Sequence, residues 1–202
     1  LSTWEGPRLS VASWNIGFEP VSSRIDELIQ GVRALDADVF VLIEFTPDSD
    51  LKVLEEALRQ SGLPYTGTVY QSRQKQNLAF FIRDGIKVTR AQVWSELQLG
   101  NPDHRPAVAL NLQAGHFDFT LVAVHLKSKR KSEGDPDAIR TAQLKLLRNR
   151  IRRSLQGQEQ DLVLLGDYNM IPTEDAAQFE LLNQGIGLDF LQMSLPPGAT
   201  SH

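Results

Sequence analysis

The sequence predicts one α+β domain over residues 1–202, with mixed β-sheets inside and helices outside, from three observations. The length of 202 residues is that of a single globular domain. A hydrophobic share of 41% and a charged share of 23% are typical of folded chains. Strands and helices alternate at the start, strands fill the middle, and a helix, a strand and a helix follow. This order differs from that of a doubly wound dinucleotide-binding fold.

The first elements alternate between strand and helix because the hydrophobic period changes along the chain. The predicted elements are a strand at residues 9–15, a helix at 23–35, a strand at 38–44 and a helix at 48–60. Ser23 and Asp26 have the spacing of a capping box and predict the start of the first helix. The nearly continuous apolar run that ends at Glu44 predicts a buried strand.

The middle of the chain predicts consecutive strands, and a helix, a strand and a helix come after them. The strands are predicted at residues 65–71, 78–83, 86–94, 106–113 and 117–125. The short Ala114–Gly115 link predicts a tight hairpin. A helix at 137–155 and a strand ending at Asp167 follow, and Thr173 is predicted to cap a short helix that ends near Asn183.

Composition excludes several classes of protein. The chain has no cysteine, which excludes thiol catalysis, zinc–thiolate sites and disulfides. It has no apolar run long enough to cross a membrane and no recognisable signal peptide, and we expect a cytoplasmic protein with no obligate protein partner. Neither type of glycine-rich phosphate loop is present.

Charge is distributed unevenly along the chain. The whole chain has 21 basic and 25 acidic residues, but the segment from Lys127 to Arg153 has ten Lys and Arg against three Asp and Glu. Such a basic segment is compatible with a polyanionic partner or substrate. A solvated helix that follows a cationic loop explains the same composition equally well.

Polar residues end four of the predicted apolar strands. These residues are Asn15, Glu44, His125, and the pair Asp167 and Asn169. Polar groups at the ends of neighbouring strands lie at the rim of a sheet, where they can converge on one pocket. Carboxylate and amide oxygens are hard ligands that suit Mg²⁺ or Mn²⁺. The sequence therefore predicts a magnesium or manganese site at this rim.

Each of these residues also has an ordinary structural explanation. Glu44 is also interpreted as the first exposed residue after a strand, and His125 as a hydrogen-bonded histidine at the rim. Asn15 and the Gly-Asp-x-Asn string at residues 166–169 are typical of turns. The prediction of a site depends on their joint occurrence in this order.

Four short strings carry a resemblance to a known family. They are W-N-I at residues 14–16, L-I-E at 42–44, V-H-L-K-S-K at 124–129 and G-D-Y-N at 166–169. In this order they resemble the endonuclease/exonuclease/phosphatase superfamily, the DNase I-like group of metal-dependent phosphoesterases. The resemblance implies a four-layered α/β/β/α sandwich, with two sheets face to face and helices outside.

The resemblance also implies a role for each site residue. It makes Glu44 the principal Mg²⁺ (or Mn²⁺) ligand, with Asn15 orienting the metal or its water. Asp167 and Asn169 resemble the pair that positions the attacking water and the scissile phosphate. His125 resembles a histidine that donates to a phosphate oxygen, and Arg105 an arginine that contacts the phosphate.

The sequence departs from the family pattern near its end. Members usually have an Asp-His pair there, whereas His202 follows Ser201. Two interpretations remain open: the chain lacks its C-terminal strands, which we favour, or His202 takes the place of the terminal histidine. Asp103-His104 has the look of the missing pair but comes too early, and we expect His104 at the surface. Gly17 occupies a position where some nucleases have an acid, which speaks against a second metal.

The predicted function is hydrolysis of phosphodiester or phosphomonoester bonds by in-line attack of water. The basic segment mildly favours nucleic acid as the substrate. Aromatic residues are only 7% of the chain, so stacking platforms for bases are few, and phosphoinositides, sphingomyelin and small phosphoesters stay open as substrates. The alternative is a catalytically incomplete module of the same fold that binds phosphate or a partner, because the terminal Asp-His pair is missing.

Overall fold

The computed structural model describes residues 8–17, 19–46, 48–70, 76–130, 134–157 and 161–191. Within them the chain forms eight strands and four α-helices. The strands are β1 Val11–Asn15, β2 Val39–Phe45, β3 Tyr65–Tyr70, β4 Asn77–Arg83, β5 Ile86–Trp94, β6 Ala107–Ala114, β7 Phe117–His125 and β8 Leu162–Asp167. The helices are α1 Ile25–Leu35, α2 Asp48–Gln60, α3 Pro136–Ser154 and α4 Ala176–Asn183.

The strands form two sheets of four, with strand orders β1-β2-β4-β3 and β5-β6-β7-β8. Each sheet contains one parallel pair, and every other pair is antiparallel. In the first sheet β1 runs parallel to β2, with Asn15 opposite Ile43. In the second sheet β7 runs parallel to β8, with His125 opposite Asp167. The carboxyl ends of both parallel pairs carry the polar residues singled out from the sequence.

Three hydrophobic clusters define four layers. Alternate residues of β2 divide between two of them, because successive side chains of a strand point to opposite faces. Val39, Val41 and Ile43 lie in the cluster between the sheets. Phe40 and Leu42 lie in the cluster under α1 and α2. The third cluster packs the outer face of the second sheet against α3 and α4. The predicted α/β/β/α sandwich is therefore confirmed.

Two predicted helix starts are wrong, and both differ for a local reason. The Ser23 hydroxyl donates to the Pro20 carbonyl at 2.7 Å inside a short 3₁₀ turn, so α1 begins after Arg24. Thr173 lies in a turn where the amides of Glu174 and Asp175 donate to the Ile171 carbonyl, so α4 begins only at Ala176. The helix α3 starts one residue earlier than predicted, with Pro136 in its first turn and the Asp135 side chain accepting from the amide of Asp137.

The remaining boundaries agree to within two residues, and those of α2, β5 and β7 coincide with the prediction. A second 3₁₀ turn, Ser95–Gln98, was not predicted. The expectations on missing C-terminal strands and on His202 concern residues outside the described part of the chain. No helix among the described residues has the length and apolar character needed to cross a lipid bilayer.

Candidate active site

The ends of the two parallel strand pairs meet at one edge of the sandwich. Asn15, from the first sheet, donates through Nδ2 to Asp167 Oδ2 of the second sheet at 3.0 Å. Across the same space His125 Nε2 lies 3.7 Å from Glu44 Oε1 and 4.0 Å from Asp167 Oδ2. The structure thus brings together side chains from β1, β2, β7 and β8.

Strand alternation brings three of these side chains to the space between the sheets. Val11 packs with the central cluster and Trp14 with the outer one, so Asn15 follows Val11 to the inner face. In β7 the inner residues are Phe119, Leu121 and Ala123, and His125 continues that series. In β8 Asp167 continues the inner series of Val163 and Leu165.

Glu44 reaches the site by a different device, a β-bulge. Regular alternation would send residue 44 to the outer face with Phe40 and Leu42, but the pairing with β4 shifts between Ile43 and Phe45. Glu44 has a left-handed backbone with φ 65°, and Phe45 takes the outer position. A bulge of this kind re-aims one side chain at the cost of local strain. The Glu44 side chain is only 14% exposed, which rules out the simple interpretation as the first solvated residue after a strand.

The turns expected at Asn15 and Asp167 are present and also orient the site. The amide of Gly17 donates to Asn15 Oδ1 at 3.0 Å, which fixes the Asn15 side chain so that its Nδ2 points at Asp167. The amide of Asn169 donates to Asp167 Oδ1 at 2.9 Å. Asn169 itself has φ 52° and donates through Nδ2 to the Leu126 carbonyl at 3.1 Å. The hydrogen bonds that form these turns therefore also orient the side chains of the site.

His125 is a buried, neutral imidazole. Burial lowers its pKa to about 3, the charge of Arg105 acts in the same direction, and Asp167 opposes them. Its Nδ1 is buried without a hydrogen-bond partner among the described residues, which contradicts the alternative of a hydrogen-bonded rim histidine. A neutral ring with no partner at Nδ1 is best accommodated with the proton on Nε2, because an unpaired acceptor costs less than an unpaired N–H donor. Nε2–H then faces Glu44 and Asp167.

Arg105 lies beneath the site and supports the main chain beyond β7. Its Nε donates to the His125 carbonyl at 3.2 Å, and its Nη2 donates to the Leu126 carbonyl at 2.8 Å. Burial lowers the pKa of Arg105, whereas the nearby Glu44 and Asp167 carboxylates raise it. The guanidinium is therefore close to both acids and supplies positive charge to the same space.

The donor set fits a hard divalent cation that keeps much of its own water. Among the described residues there is no cluster of three or more His, Cys, Asp or Glu side chains suited to holding a metal. Glu44 and Asp167 instead offer two carboxylates beside a neutral imidazole. Mg²⁺ typically binds through one or two carboxylates and completes its shell with water and substrate phosphate. Softer metals, which prefer thiolate or several imidazoles, do not fit this set.

His104 is not the surface residue that the sequence predicted. It is buried, its Nδ1 lies 3.0 Å from the Gln98 carbonyl, and Gln98 Nε2 donates to the His104 carbonyl. These bonds tie the loop before β6 to a 3₁₀ turn. Both contacts lie away from the site residues, so His104 acts as a core histidine.

The basic segment is divided between structural and exposed side chains. Arg140 is fully buried, and Arg150 lies over the Trp94 ring at 5.3 Å from its centroid. Lys129 Nζ pairs with Glu174 and Asp175 at 2.9 and 3.0 Å. Arg152 and Arg153 are exposed, but they lie near the end of α3, about 18 Å along the helix beyond Arg140, which contacts the segment just after β7. The alternative of a simple solvated helix is thus wrong for Arg140.

Comparison with known proteins identifies the family. The sequence profile of the endonuclease/exonuclease/phosphatase family matches residues 12–201, and the chain belongs to this family. No curated protein sequence matches the chain. The family resemblance expected from the four sequence strings is therefore confirmed.

Solved structures share the fold at low sequence identity. The human Nocturnin catalytic domain with bound sulfate superposes with a TM-score of 0.73 at 19% identity, covering 94% of this chain and 76% of that one. Truncated Caenorhabditis elegans TDP2 gives 0.65 at 19% identity, with 82% and 64% covered. A mannosyl-6-phosphatase from Bacteroides thetaiotaomicron gives 0.65 at 18% identity, with 88% and 70% covered. The chain spans 48% of another C. elegans TDP2 structure.

Two side chains that the sequence analysis passed over also support the site. Arg140 and Gln143 of α3 bind the main chain of Lys127, two residues beyond His125. A signal was present in the sequence, since both are polar positions on a helix face that continues with Leu144, Leu147 and Ile151.

Proposed function

We propose that this protein hydrolyses phosphoester bonds with the help of Mg²⁺ or Mn²⁺. The observation that carries the proposal is the meeting of two carboxylates from different sheets around one neutral histidine. Glu44 and Asp167 both face His125 Nε2, within 4.0 Å. Such a site joins negative charge for a cation to a hydrogen-bond donor for an anion, which is what a phosphoester and its metal require together.

Glu44 would hold the cation, and Asn15 orients the site through its bond to Asp167. A bound divalent cation offsets the charge of the phosphate oxygens and lowers the pKa of water. Glu44 suits this role because the bulge at β2 fixes its backbone and burial limits its rotamers. In other proteins, hydrogen bonds among the side chains around a metal hold those side chains in place, as the bond from Asn15 to Asp167 does here.

Asp167 is the group that we propose for positioning the attacking water. Both of its oxygens accept fixed hydrogen bonds, one from Asn15 Nδ2 and one from the amide of Asn169. The carboxylate is thus held in one orientation and can accept a proton from water as its oxygen attacks phosphorus. The bond from phosphorus to the leaving oxygen breaks on the opposite side.

His125 and Arg105 would bind the phosphate. His125 donates from Nε2 without itself ionising, because its pKa is about 3. Arg105 contributes charge from below, while two of its nitrogens hold the carbonyls of His125 and Leu126. Asn169, in the loop after β8, holds the Leu126 carbonyl through Nδ2 and is the third residue that we propose for binding the phosphate.

The substrate class follows in part from charge and in part from the related structures. Danio rerio TDP2 has been solved with a single-stranded DNA product, whereas the Bacteroides protein is a mannosyl-6-phosphatase. Both kinds of substrate place a phosphoester at such a site. The basic composition of residues 127–153 mildly favours a nucleic acid, although Lys129 is itself paired with Glu174 and Asp175.

The test is a titration of Mg²⁺ and Mn²⁺ against cleavage of plasmid DNA, a short oligonucleotide and a chromogenic phosphodiester. We expect cation-dependent turnover of at least one substrate, abolished by chelation and restored by added cation. A folded protein that turns over none of them would favour a phosphate-binding module instead. Circular dichroism of the same sample supplies the control for folding.

A further inference from the structure

We infer that Arg140 and Gln143 of α3 are positioning residues that hold His125 in place through the main chain of Lys127. This inference rests on the proposed function for its catalytic consequence, but its structural part is independent of turnover. Neither side chain reaches the site surface, with exposures of 0% and 1%. Both are therefore placed to act on the chain behind the site.

The segment just after β7 is buried but has left the sheet. The pairing with β8 ends at His125 opposite Asp167, and one further bond joins the Leu126 amide to the Asp167 carbonyl. Leu126 and Lys127 are nevertheless 1% and 8% exposed. Buried main-chain groups outside a sheet need other partners.

Side chains supply these partners one by one. Arg105 donates to the carbonyls of His125 and Leu126, and Asn169 donates to the Leu126 carbonyl. Gln143 Oε1 accepts from the Lys127 amide at 2.9 Å, and Arg140 Nη1 donates to the Lys127 carbonyl at 2.9 Å. Both polar groups of Lys127 are thus held by α3.

Arg140 and Gln143 are themselves fixed. Arg140 donates through Nε to Gln178 Oε1 at 3.0 Å and through Nη2 to Asp137 Oδ1. Gln143 Nε2 donates to the Leu97 carbonyl at 3.1 Å. Arg140 and Gln143 therefore link α3, α4 and the 3₁₀ turn before β6 to the segment that follows His125. A fixed arrangement of this kind limits the position of the imidazole, and small displacements of a catalytic group reduce turnover strongly.

The test compares Gln143→Met, which keeps volume but loses both hydrogen bonds, with Gln143→Glu, the conservative rescue. A glutamate offers an oxygen to the Lys127 amide and, when protonated, a hydroxyl to the Leu97 carbonyl. Leu147→Ala is the matched control, since Leu147 is a fully buried residue of α3 in the cluster between the second sheet and the helices α3 and α4. Arg140→Lys is a second variant, because an ammonium group cannot reach three acceptors at once.

The first readout is the ring resonance of His125 in the metal-free protein at fixed pH. The chain has four histidines, and the His125 signal is assigned by its loss in His125→Ala. We expect Gln143→Met and Arg140→Lys to move this signal more than Leu147→Ala does, and Gln143→Glu to restore it. The second readout is kinetics: kcat falls about tenfold or more in Gln143→Met with little change in KM, and less than twofold in Leu147→Ala.

An unmoved His125 signal in Gln143→Met, or in Arg140→Lys should the first variant not fold, overturns the inference. A kcat loss no larger than that of the control at equal folded fraction overturns it as well. A wild type that hydrolyses no phosphoester removes the proposed function. In that case a displaced ring signal that Gln143→Glu restores still supports the positioning role.

Discussion

Glu44 and Asn169 have left-handed backbones, with φ of 65° and 52°. Asparagine tolerates this conformation, but glutamate rarely adopts it, and such strain costs on the order of 1 kcal/mol or more. In Glu44 the strain accompanies a bulge that turns a carboxylate from the helix-covered face toward Asp167 and His125. Glu44 thus has a locally strained backbone, and this backbone places its carboxylate in the candidate site.

At this scale Glu44→Gln tests the metal site. The substitution keeps the shape of the side chain but removes its charge, so we expect turnover to fall by about 10²-fold or more. Added Mn²⁺ should raise the melting temperature of the wild type and leave that of the variant nearly unchanged, because only a bound ligand stabilises the folded state. Glu27→Gln, at an exposed position of α1, is the matched control. If Glu44→Gln had the same turnover as the wild type at saturating Mg²⁺, Glu44 would not be a ligand of the metal.

His125→Ala separates a phosphate contact from a packing role. If the imidazole donates to phosphate, turnover falls by about tenfold or more while the melting temperature changes as for any buried histidine. His104→Ala is the comparison, because His104 is also buried but has its hydrogen bonds outside the site. Activity assays and thermal melts of both variants are the measurement. Losses of rate and of melting temperature in the same proportion for both would contradict the catalytic role.

Among the elements, the parallel strands β7 and β8 approach each other closely beside the site. Gly166 has φ 130°, and a Cβ built on it would lie 2.1 Å from the Val124 carbonyl oxygen. Only glycine allows the two strands to approach in this way directly before Asp167. A steric requirement therefore explains why the G-D-Y-N string begins with glycine.

Gly166→Ala should destabilise the protein by about 3 kcal/mol or more, because the clash is with a main chain that cannot move away. Gly185→Ala is the control, since Gly185 also has a positive φ of 74° but has open space around it. We expect that control to cost only about 1 kcal/mol. Chemical denaturation measures both free energies of unfolding. Similar values for the two variants would show that φ alone, and not the contact with β7, requires glycine at 166.

The loop between β8 and α4 is anchored by Asp175, which predicts a pH dependence. Burial alone would raise the pKa of Asp175, but bonds from the Ile171 amide and from Lys129 lower it overall. A lowered folded-state pKa gives stability that is present above the ordinary carboxyl pKa and is lost as the pH falls through the folded value. The wild type should therefore melt above Asp175→Asn at pH 7, and the difference should shrink below about pH 4. A difference that is constant from pH 7 to pH 3 would contradict this.

How much of the site was predictable depends on the element. Alternation of inner and outer residues in β1, β7 and β8 was visible in the sequence and predicts inward positions for Asn15, His125 and Asp167. Glu44 breaks the alternation of its strand, because the bulge depends on pairing with β4, which is distant in sequence. The sequence predicts Arg140 only as part of a charged helix, because two of its three partners, Lys127 and Gln178, lie outside that helix.

For the whole molecule, the basic segment counts for less than its composition indicates. Several of its charges are bound within the protein, and the exposed pair Arg152 and Arg153 lies about 18 Å along α3 beyond Arg140, which contacts the segment just after β7. The positive charge close to the two site carboxylates therefore comes from Arg105, and not from the exposed residues near the end of α3.

The double variant Arg152→Gln, Arg153→Gln tests this distribution of charge. We expect kcat/KM for a short oligonucleotide to stay within twofold of the wild type, and the slope of its logarithm against the logarithm of salt concentration to stay the same. Each phosphate contact that is lost should reduce such a slope by about one. A reduction of about one or more would extend the nucleic-acid surface to the far end of α3.

The bond between Asn15 and Asp167 joins positions 152 residues apart in sequence. Each half of the chain can form its own sheet and helices without bringing Glu44 near Asp167, so neither half contains the pocket alone. A partly denatured molecule in which the layers have slipped would keep its circular dichroism yet have lost the pocket. The pocket therefore exists only while the two halves are docked, and it is lost when they part.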